Sequence, residues 1–297
     1  MAPGGAGRLV RAGVQELAVP LPPAPKLITF DAEGTLLQLA SPKGLILRES
    51  LLKAHGYLAR LPGPDLFQAS HAAYDKALNA ATAAQPCYGC GTGVTSHQWW
   101  YGVVYDALVE TLEAHNIPPS EMVDPVMEEL FDELFYETFT GPEAYELRPD
   151  AARTLEKLAE WREAGTGPLL GIVTNADERL PTVLLNLGIL EVFDFVLTSR
   201  QIGSELPARA IFDVALDKAG LTNAAEALHC GDDLERDIGG AAAAGWQSCL
   251  IANPPAPQGP QAYTVMGISG LLPRLGLPAL SGPVPTTRRR GQFVDGE

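Results

Sequence analysis

The stretch Lys26-Leu-Ile-Thr-Phe-Asp31-Ala-Glu33-Gly34-Thr35-Leu-Leu37 decides the fold. Its first half, Lys26 to Phe30, is a short run of apolar and β-favouring residues and reads as a buried strand. The strand ends on an acid, Asp31. A second acid, Glu33, follows two residues on and faces the same way in an extended segment. Gly34 then lets the chain turn sharply, and Thr35 can cap the turn. The carboxyl ends of strands in an open α/β sheet line the crevice where ligands bind. Two carboxylates placed there can divide the work of nucleophile and general acid or base. An ordinary strand closed by an Asp-capped turn would look the same locally, so the weight falls on the rest of the chain.

On the carboxyl side of this strand, residues from about Lys43 to Phe139 carry helix-period apolar residues, as in Val123 to Phe135, and aromatic clusters such as Trp99, Trp100, Tyr101 and Tyr105. The break Pro86-Cys-Tyr-Gly-Cys-Gly-Thr-Gly93 divides this block. From Asp150 the texture changes. Helices are expected over Asp150–Ala164, Glu178–Leu187, Ala208–Ala219 and Glu235–Ala244, each closed by a glycine. Strands are expected over Leu169–Thr174, Phe193–Thr198, Ala227–Cys230 and Ser248–Ala252. Short apolar strands alternating with capped helices predict βαβ units and a parallel sheet. One strand before a helical block and at least four after it predict an α/β, doubly wound parallel sheet that is discontinuous in sequence. Its core comprises residues 26–41 and 145–275, and an α-helical cap, residues 42–144, is inserted between the two parts. Residues 1–25, rich in Gly, Pro and Ala, read as a disordered leader or a transit segment. Residues 276–297 read as a disordered tail.

Two further motifs sit at strand ends. In Gly171-Ile-Val-Thr174-Asn175-Ala-Asp177 a hydroxyl and an amide close an apolar strand and can donate to a phosphoryl oxygen. In Gly231-Asp232-Asp233-Leu-Glu-Arg-Asp237, acids at a strand end and one turn into the next helix can bind a hard cation through oxygen. An acidic first turn complementing the helix dipole is the ordinary alternative.

In this order, D-x-x-G-T-L, T-N and G-D-D-x-x-x-D followed by Gly240-Ala-Ala-Ala-Ala-Gly245 resemble the haloacid dehalogenase-like superfamily. The resemblance covers about Lys26 to Leu39 and Tyr145 to Leu272, and the helical block lies where that superfamily carries its type-one cap. The runs Thr95-Ser-His-Gln-Trp-Trp100 and Phe193-Asp-Phe-Val-Leu-Thr-Ser199 are similar to one branch of it, shared with plant relatives. The resemblance implies roles. Asp31 is the nucleophile and a magnesium ligand. Glu33 is the general acid and base and offers its carbonyl to the metal. Asp232 and Asp237 complete the Mg2+ site, while Thr174 and Asn175 hold a phosphoryl oxygen. The expected activity is a magnesium-dependent phosphatase of small phosphomonoesters. The alternatives are a catalytically weak member that binds a ligand or partner, and a metal-independent dehalogenase.

Two positions depart from the pattern. Glu33 stands where the superfamily has aspartate and is one methylene longer. In Gly203-Ser-Glu-Leu206-Pro207-Ala-Arg209-Ala-Ile-Phe212, Leu206 stands where the superfamily has a lysine that offsets the charge of nucleophile and phosphate. Arg209 and Arg200 are the nearby cations that could replace it.

Composition narrows the partners. A formal net charge of −15 argues against nucleic-acid backbone binding, which needs Lys and Arg in excess. No apolar run is long enough to span a bilayer. Four cysteines, of which only Cys87 and Cys90 form a C-x-x-C, fit neither a disulfide scaffold nor a zinc site, and they suit a reducing compartment. The resemblance implies a small phosphorylated metabolite as partner, and the expected location is the cytoplasm, or a plastid or mitochondrion if residues 1–25 are a transit peptide.

Overall fold

The computed structural model describes residues 24–41, 63–114, 116, 131–141, 144–252 and 263–282. The expected leader lies almost wholly outside the described residues. So do most of the Val123–Phe135 periodicity and the end of the tail.

Six parallel strands form the sheet: β1 (Leu27–Phe30), β4 (Leu169–Thr174), β5 (Phe195–Thr198), β6 (Ala227–Gly231), β7 (Gln247–Ala252) and β8 (Tyr263–Met266), in the order β5-β4-β1-β6-β7-β8. β1 lies at the centre, with Phe30 level with Ile172 on one side and Cys230 on the other. Such a strand is covered on both faces, which is why β1 and β6 read as continuous apolar runs. Alternation sorts their side chains: Ile28 and Phe30 enter one core with Leu155 and Leu158, and Leu27 enters another with Ile211 and Phe212. The helices on those two faces are α3 (Ala151–Glu163) with α4 (Leu180–Asn186), and α5 (Arg209–Lys218). The sheet is thus doubly wound, as the sequence predicts. Tyr263–Met266 is an added edge strand, and its one wholly buried residue, Val265, is too little pattern to announce it.

Between β1 and β4 the chain makes a small antiparallel pair, β2 (Leu37–Leu39) with β3 (Tyr145–Leu147). Each strand is only three residues long, too short for a period to declare itself. The helical cap rises from this ribbon: α1 (Gly63–Ala84), α2 (Ser96–Ala114) and a π-helical segment, Glu133–Thr138. It has its own core, in which Tyr74, Trp99, Val103, Ala107, Leu108, Phe131 and Phe135 interlock. The Pro86–Cys90 break is a tight turn with Cys87 and Tyr88 at positive φ. At the other end, Leu277 and Leu280 pack on the main core and the Ser281 carbonyl accepts from Arg153, so the chain expected to leave the domain at residue 276 lies against it through Ser281. Among the described residues, no helix is long and apolar enough to cross a membrane.

Candidate active site

The switch from the β4 side to the β6 side of β1 brings three loops to one end of the sheet. Asp31 follows β1, and its amide is anchored on the Cys230 carbonyl at 2.9 Å. Thr174 closes β4 and donates from Oγ1 to Asp31 Oδ1 at 2.7 Å. Asp232 follows β6. Thr35 Oγ1 lies 3.4 Å from both Asp31 Oδ2 and Asp232 Oδ1 and so tethers the β1 turn to the β6 loop. Asp31, Asp232 and Asp237 each present a carboxylate oxygen within 4.8 Å of the other two.

The loops leave room for little else. Gly34 has φ +96°, and a Cβ there would sit 2.3 Å from Asp232 Oδ2. At Gly231 a Cβ would fall 2.2 Å from Asp237 Cγ, so only glycine lets the carboxylates come this near the backbone. Asp237 is oriented from two sides. The Asp233 amide donates to its Oδ2 at 2.9 Å, and His229 Nε2 lies 3.4 Å from its Oδ1. His229 is wholly buried, and its Nδ1 lies 2.9 Å from Thr29 Oγ1. This Thr29–His229–Asp237 chain went unread in the sequence, although His229 stands two residues before the Gly231-Asp232 motif.

The electrostatics are those of a site short of positive charge. Burial pushes the Asp31 carboxyl well above the usual carboxylate range; Asp237 and Asp232 push it further, against the Thr174 hydrogen bond. Burial and then Asp237 likewise raise Asp232, while Arg236 and Arg148 pull it back. Oxygen donors that repel one another, with Asp31 and Asp237 buried, are what a hard divalent cation offsets, so the donor set fits magnesium.

Leu206 is 4% exposed and packs with Val173, Leu197 and Phe212, so no cation replaces the lysine at that position. Neither expected substitute reaches the site. Arg209 is on the surface, paired with Asp213 four residues on along α5. Arg200 donates to the carbonyls of Tyr88 and Val94 and pins the cap to the core. The Asn175 side chain is also engaged: its Oδ1 accepts from the Leu206 amide at 2.7 Å and its Nδ2 donates to the Leu206 carbonyl at 3.1 Å.

Above Asp31 the cap and core enclose a cavity of about 480 Å³. Glu33 lines it, and its carboxylate adds to burial in raising the Tyr145 hydroxyl. Asp177 and Arg179 form a pair inside it, with Arg179 Nη2 2.6 Å from Asp177 Oδ2 and the Trp100 indole donating to the same oxygen at 2.6 Å. Burial pushes Asp177 up, but Arg179 outweighs it and holds the carboxyl below its usual value. Asp177 is the last residue of the quoted strand-end motif and Trp100 belongs to the aromatic cluster, yet spacing alone could not show that they meet.

Comparison with known proteins supplies the context. The sequence pattern described as haloacid dehalogenase-like hydrolase matches residues 25–245. Proteins called haloacid dehalogenase-like hydrolase domain-containing protein 3 are similar over most of their length. The Bos taurus protein is 35% identical over 256 residues, 84% of this chain and 93% of its own. The Homo sapiens protein is 32% identical over 88% of this chain and 96% of its own. The branch suggested by the Trp99-Trp100 and Phe193–Ser199 runs is the one to which these proteins belong. Among solved structures, the HAD-hydrolase YfnB from Bacillus subtilis, bound to magnesium, shares the fold at a TM-score of 0.58 and 18% identity, covering 85% of this chain and 99% of that one. A 2-haloacid dehalogenase from Pseudomonas syringae does so at 0.52 and 23%, covering 85% and 98%.

Proposed function

Because the chain belongs to the haloacid dehalogenase-like hydrolases, we propose that it is a magnesium-dependent phosphatase of small phosphorylated metabolites, working through an aspartyl-phosphate intermediate. One observation carries the reading: the Asp31, Asp232 and Asp237 oxygens converge within 4.8 Å at the carboxyl ends of β1 and β6, beside the Thr174 hydroxyl. Magnesium held by Asp31, the Glu33 carbonyl, Asp232 and Asp237 would supply the positive charge that phosphoryl oxygens need. An Asp31 oxygen attacks phosphorus as the ester P–O bond breaks, and Glu33 gives its proton to the departing alkoxide. Glu33, now a carboxylate, takes a proton from the water that attacks the aspartyl phosphate. Inorganic phosphate leaves and Asp31 is restored. Thr174 holds a phosphoryl oxygen through Oγ1, and Asn175, its side chain engaged with Leu206, contributes through its backbone N–H.

Leu206 favours the second reading, a catalytically weak member that binds a ligand or partner. Arg236 weighs against it. It lines the cavity, its Nε is 3.0 Å from Asp233 Oδ2, and its charge acts on both Asp31 and Asp237. We assign to it the compensating role expected of the absent lysine. Turnover of a phosphomonoester panel with magnesium and with chelator, in wild type, Asp31→Asn and Asp232→Asn, tests the proposal. It expects activity only in magnesium-loaded wild type. Release of halide from 2-haloacids in chelator would replace it with the dehalogenase reading.

A further inference from the structure

The cavity above Asp31 combines a polar floor of carboxylates and Thr174 with walls that carry many aromatic side chains. Seen from the carboxylates its walls are rings: Tyr88, Trp100, Phe131, Phe135, Phe139 and Tyr145. Two pairs are in ring contact, with Tyr88 and Trp100 centroids 5.8 Å apart and Phe131 and Phe135 centroids 5.7 Å apart. Aromatic walls favour a flat guest, which they meet in offset or edge-to-face contact. A volume of about 480 Å³ falls within the range of sites that enclose a small organic ligand.

The polar groups in these walls restrict the guest further. Arg179 is deep in the wall, its guanidinium carbon 4.3 Å from the Phe135 centroid and 5.0 Å from that of Trp100. Its Nε and Nη2 bond Asp177, while among the described residues Nη1 has no hydrogen-bond partner. Arg179 lines the cavity, and a guanidinium donor not used by Asp177 can meet an oxygen of the guest. That oxygen should belong to a neutral group, because Asp177 already balances Arg179 and Glu205 also lines the cavity. A second anion on the guest would face Asp177 and Glu205 against one guanidinium in the upper cavity.

We propose that the cap–core cavity selects phosphomonoesters whose leaving group is a flat, ring-bearing, uncharged alcohol with an oxygen acceptor directed at Arg179. The proposal rests on the phosphatase reading above. It places the phosphoryl group beside Asp31 and Thr174 and the ring in the aromatic-lined part of the cavity, and it excludes short, highly polar or dianionic leaving groups.

Non-hydrolysable phosphonates separate this inference from the reading beneath it, because they report binding whether or not the protein turns over. Calorimetry on the full chain with magnesium compares methylphosphonate, benzylphosphonate and 4-carboxybenzylphosphonate. Burying a phenyl ring at about 25 cal/mol per Å² predicts that benzylphosphonate binds roughly thirty- to a hundredfold more tightly than methylphosphonate. The added carboxylate should erase most of that gain. Phe135→Leu and Tyr145→Leu should each narrow the benzyl-to-methyl ratio. The comparison on wild type stands even if one of these variants fails to fold. Equal affinity for methyl- and benzylphosphonate overturns the ring preference while leaving the phosphatase reading intact. Tightest binding of the carboxylated ring overturns the requirement for an uncharged leaving group. No binding of any phosphonate overturns the phosphatase reading, and the proposal with it.

Discussion

Removing the charge of Asp31 should stabilise the protein in chelator and abolish its stabilisation by magnesium. The Asp31 carboxylate is buried and lies within 4.8 Å of oxygens of both Asp232 and Asp237. Two unit charges at that separation repel by about 3 kcal/mol at an effective dielectric constant near 20. Burial first, and then repulsion from Asp237 and Asp232, raises the Asp31 carboxyl well above the usual range and favours its protonated form. The sign follows from linkage. Below about pH 4, the unfolded aspartate value, both states carry the proton and there is no penalty. Above it the unfolded chain releases the proton while the fold keeps it, so stability falls by about 1.4 kcal/mol per pH unit until the folded value is passed. In Asp31→Asn the side chain carries no titrating proton and lacks that contribution. The substituted amide can still accept from Thr174 Oγ1, which lies 2.7 Å from Asp31 Oδ1 in the wild type, and it can donate to a neighbouring carboxylate.

Asp31→Asn should therefore unfold at a higher temperature than wild type near pH 7 in chelator, by about 1–3 kcal/mol, or roughly 2–8 °C for a chain of this size. The gap should shrink toward pH 4. With magnesium the order should reverse, because ion binding to wild type stabilises by mass action and the variant has lost a ligand. Thermal unfolding followed by circular dichroism over this pH range, with and without magnesium, is the measurement. A variant that melts below wild type in chelator at every pH would refute the claim that these carboxylates repel in the fold.

Leu206→Lys should leave phosphatase turnover within a few-fold of wild type, since Arg236 already takes the lysine's role, and it should lower the melting temperature because it opens a packed apolar cluster; a tenfold rise would show that position 206 is limiting and that Arg236 does not compensate. Arg236→Met should lower kcat on the order of a hundredfold with little change in KM, and Arg236→Lys should recover part of it; an unchanged kcat would remove Arg236 from the machinery. Asp177→Asn strands the buried Arg179 charge and should cost about 3–5 kcal/mol in denaturant unfolding, whereas a loss under about 1 kcal/mol would mean that the pair is effectively solvated.

What the sequence made legible was whatever repeats or caps. Leu169–Thr174 was bounded to the residue, because its apolar run is long and flanked by turns. Helix α4 is shorter than the expected Glu178–Leu187, because Asp177 and Arg179 pair across the loop and the helix starts only at Leu180. Glu235–Ala244 is instead a π-helical turn, Leu234–Gly239, running into the short helix Gly240–Ala243. That wider turn brings Asp237 close enough to bond the Asp233 amide. Three-residue strands such as β2 and β3 carry no period, so the ribbon on which the cap stands was invisible until the tertiary fold paired them.

The site divides along the same line. Acids at strand ends were legible because the topology alone carries them to one crevice. The cations were not, because a cation's partner is set by three-dimensional packing. Arg200 and Arg209 stand nearest the Leu206 motif in sequence, but one binds cap carbonyls and the other a surface aspartate. Arg236 and Arg179 lie in other motifs and line the cavity. On the proposed reading, the missing lysine marks a change in where positive charge enters this site rather than a loss of it. On the core side that charge comes from Arg236, on the same loop as the metal-site acids. On the cap side Arg179, balanced by Asp177, lies beneath the aromatic wall. Charge divided in this way ties phosphate binding to the β6 loop and leaving-group choice to the cap, so substitutions at Arg236 should change turnover on every ester alike, whereas changes around Phe135 should alter the ranking of esters.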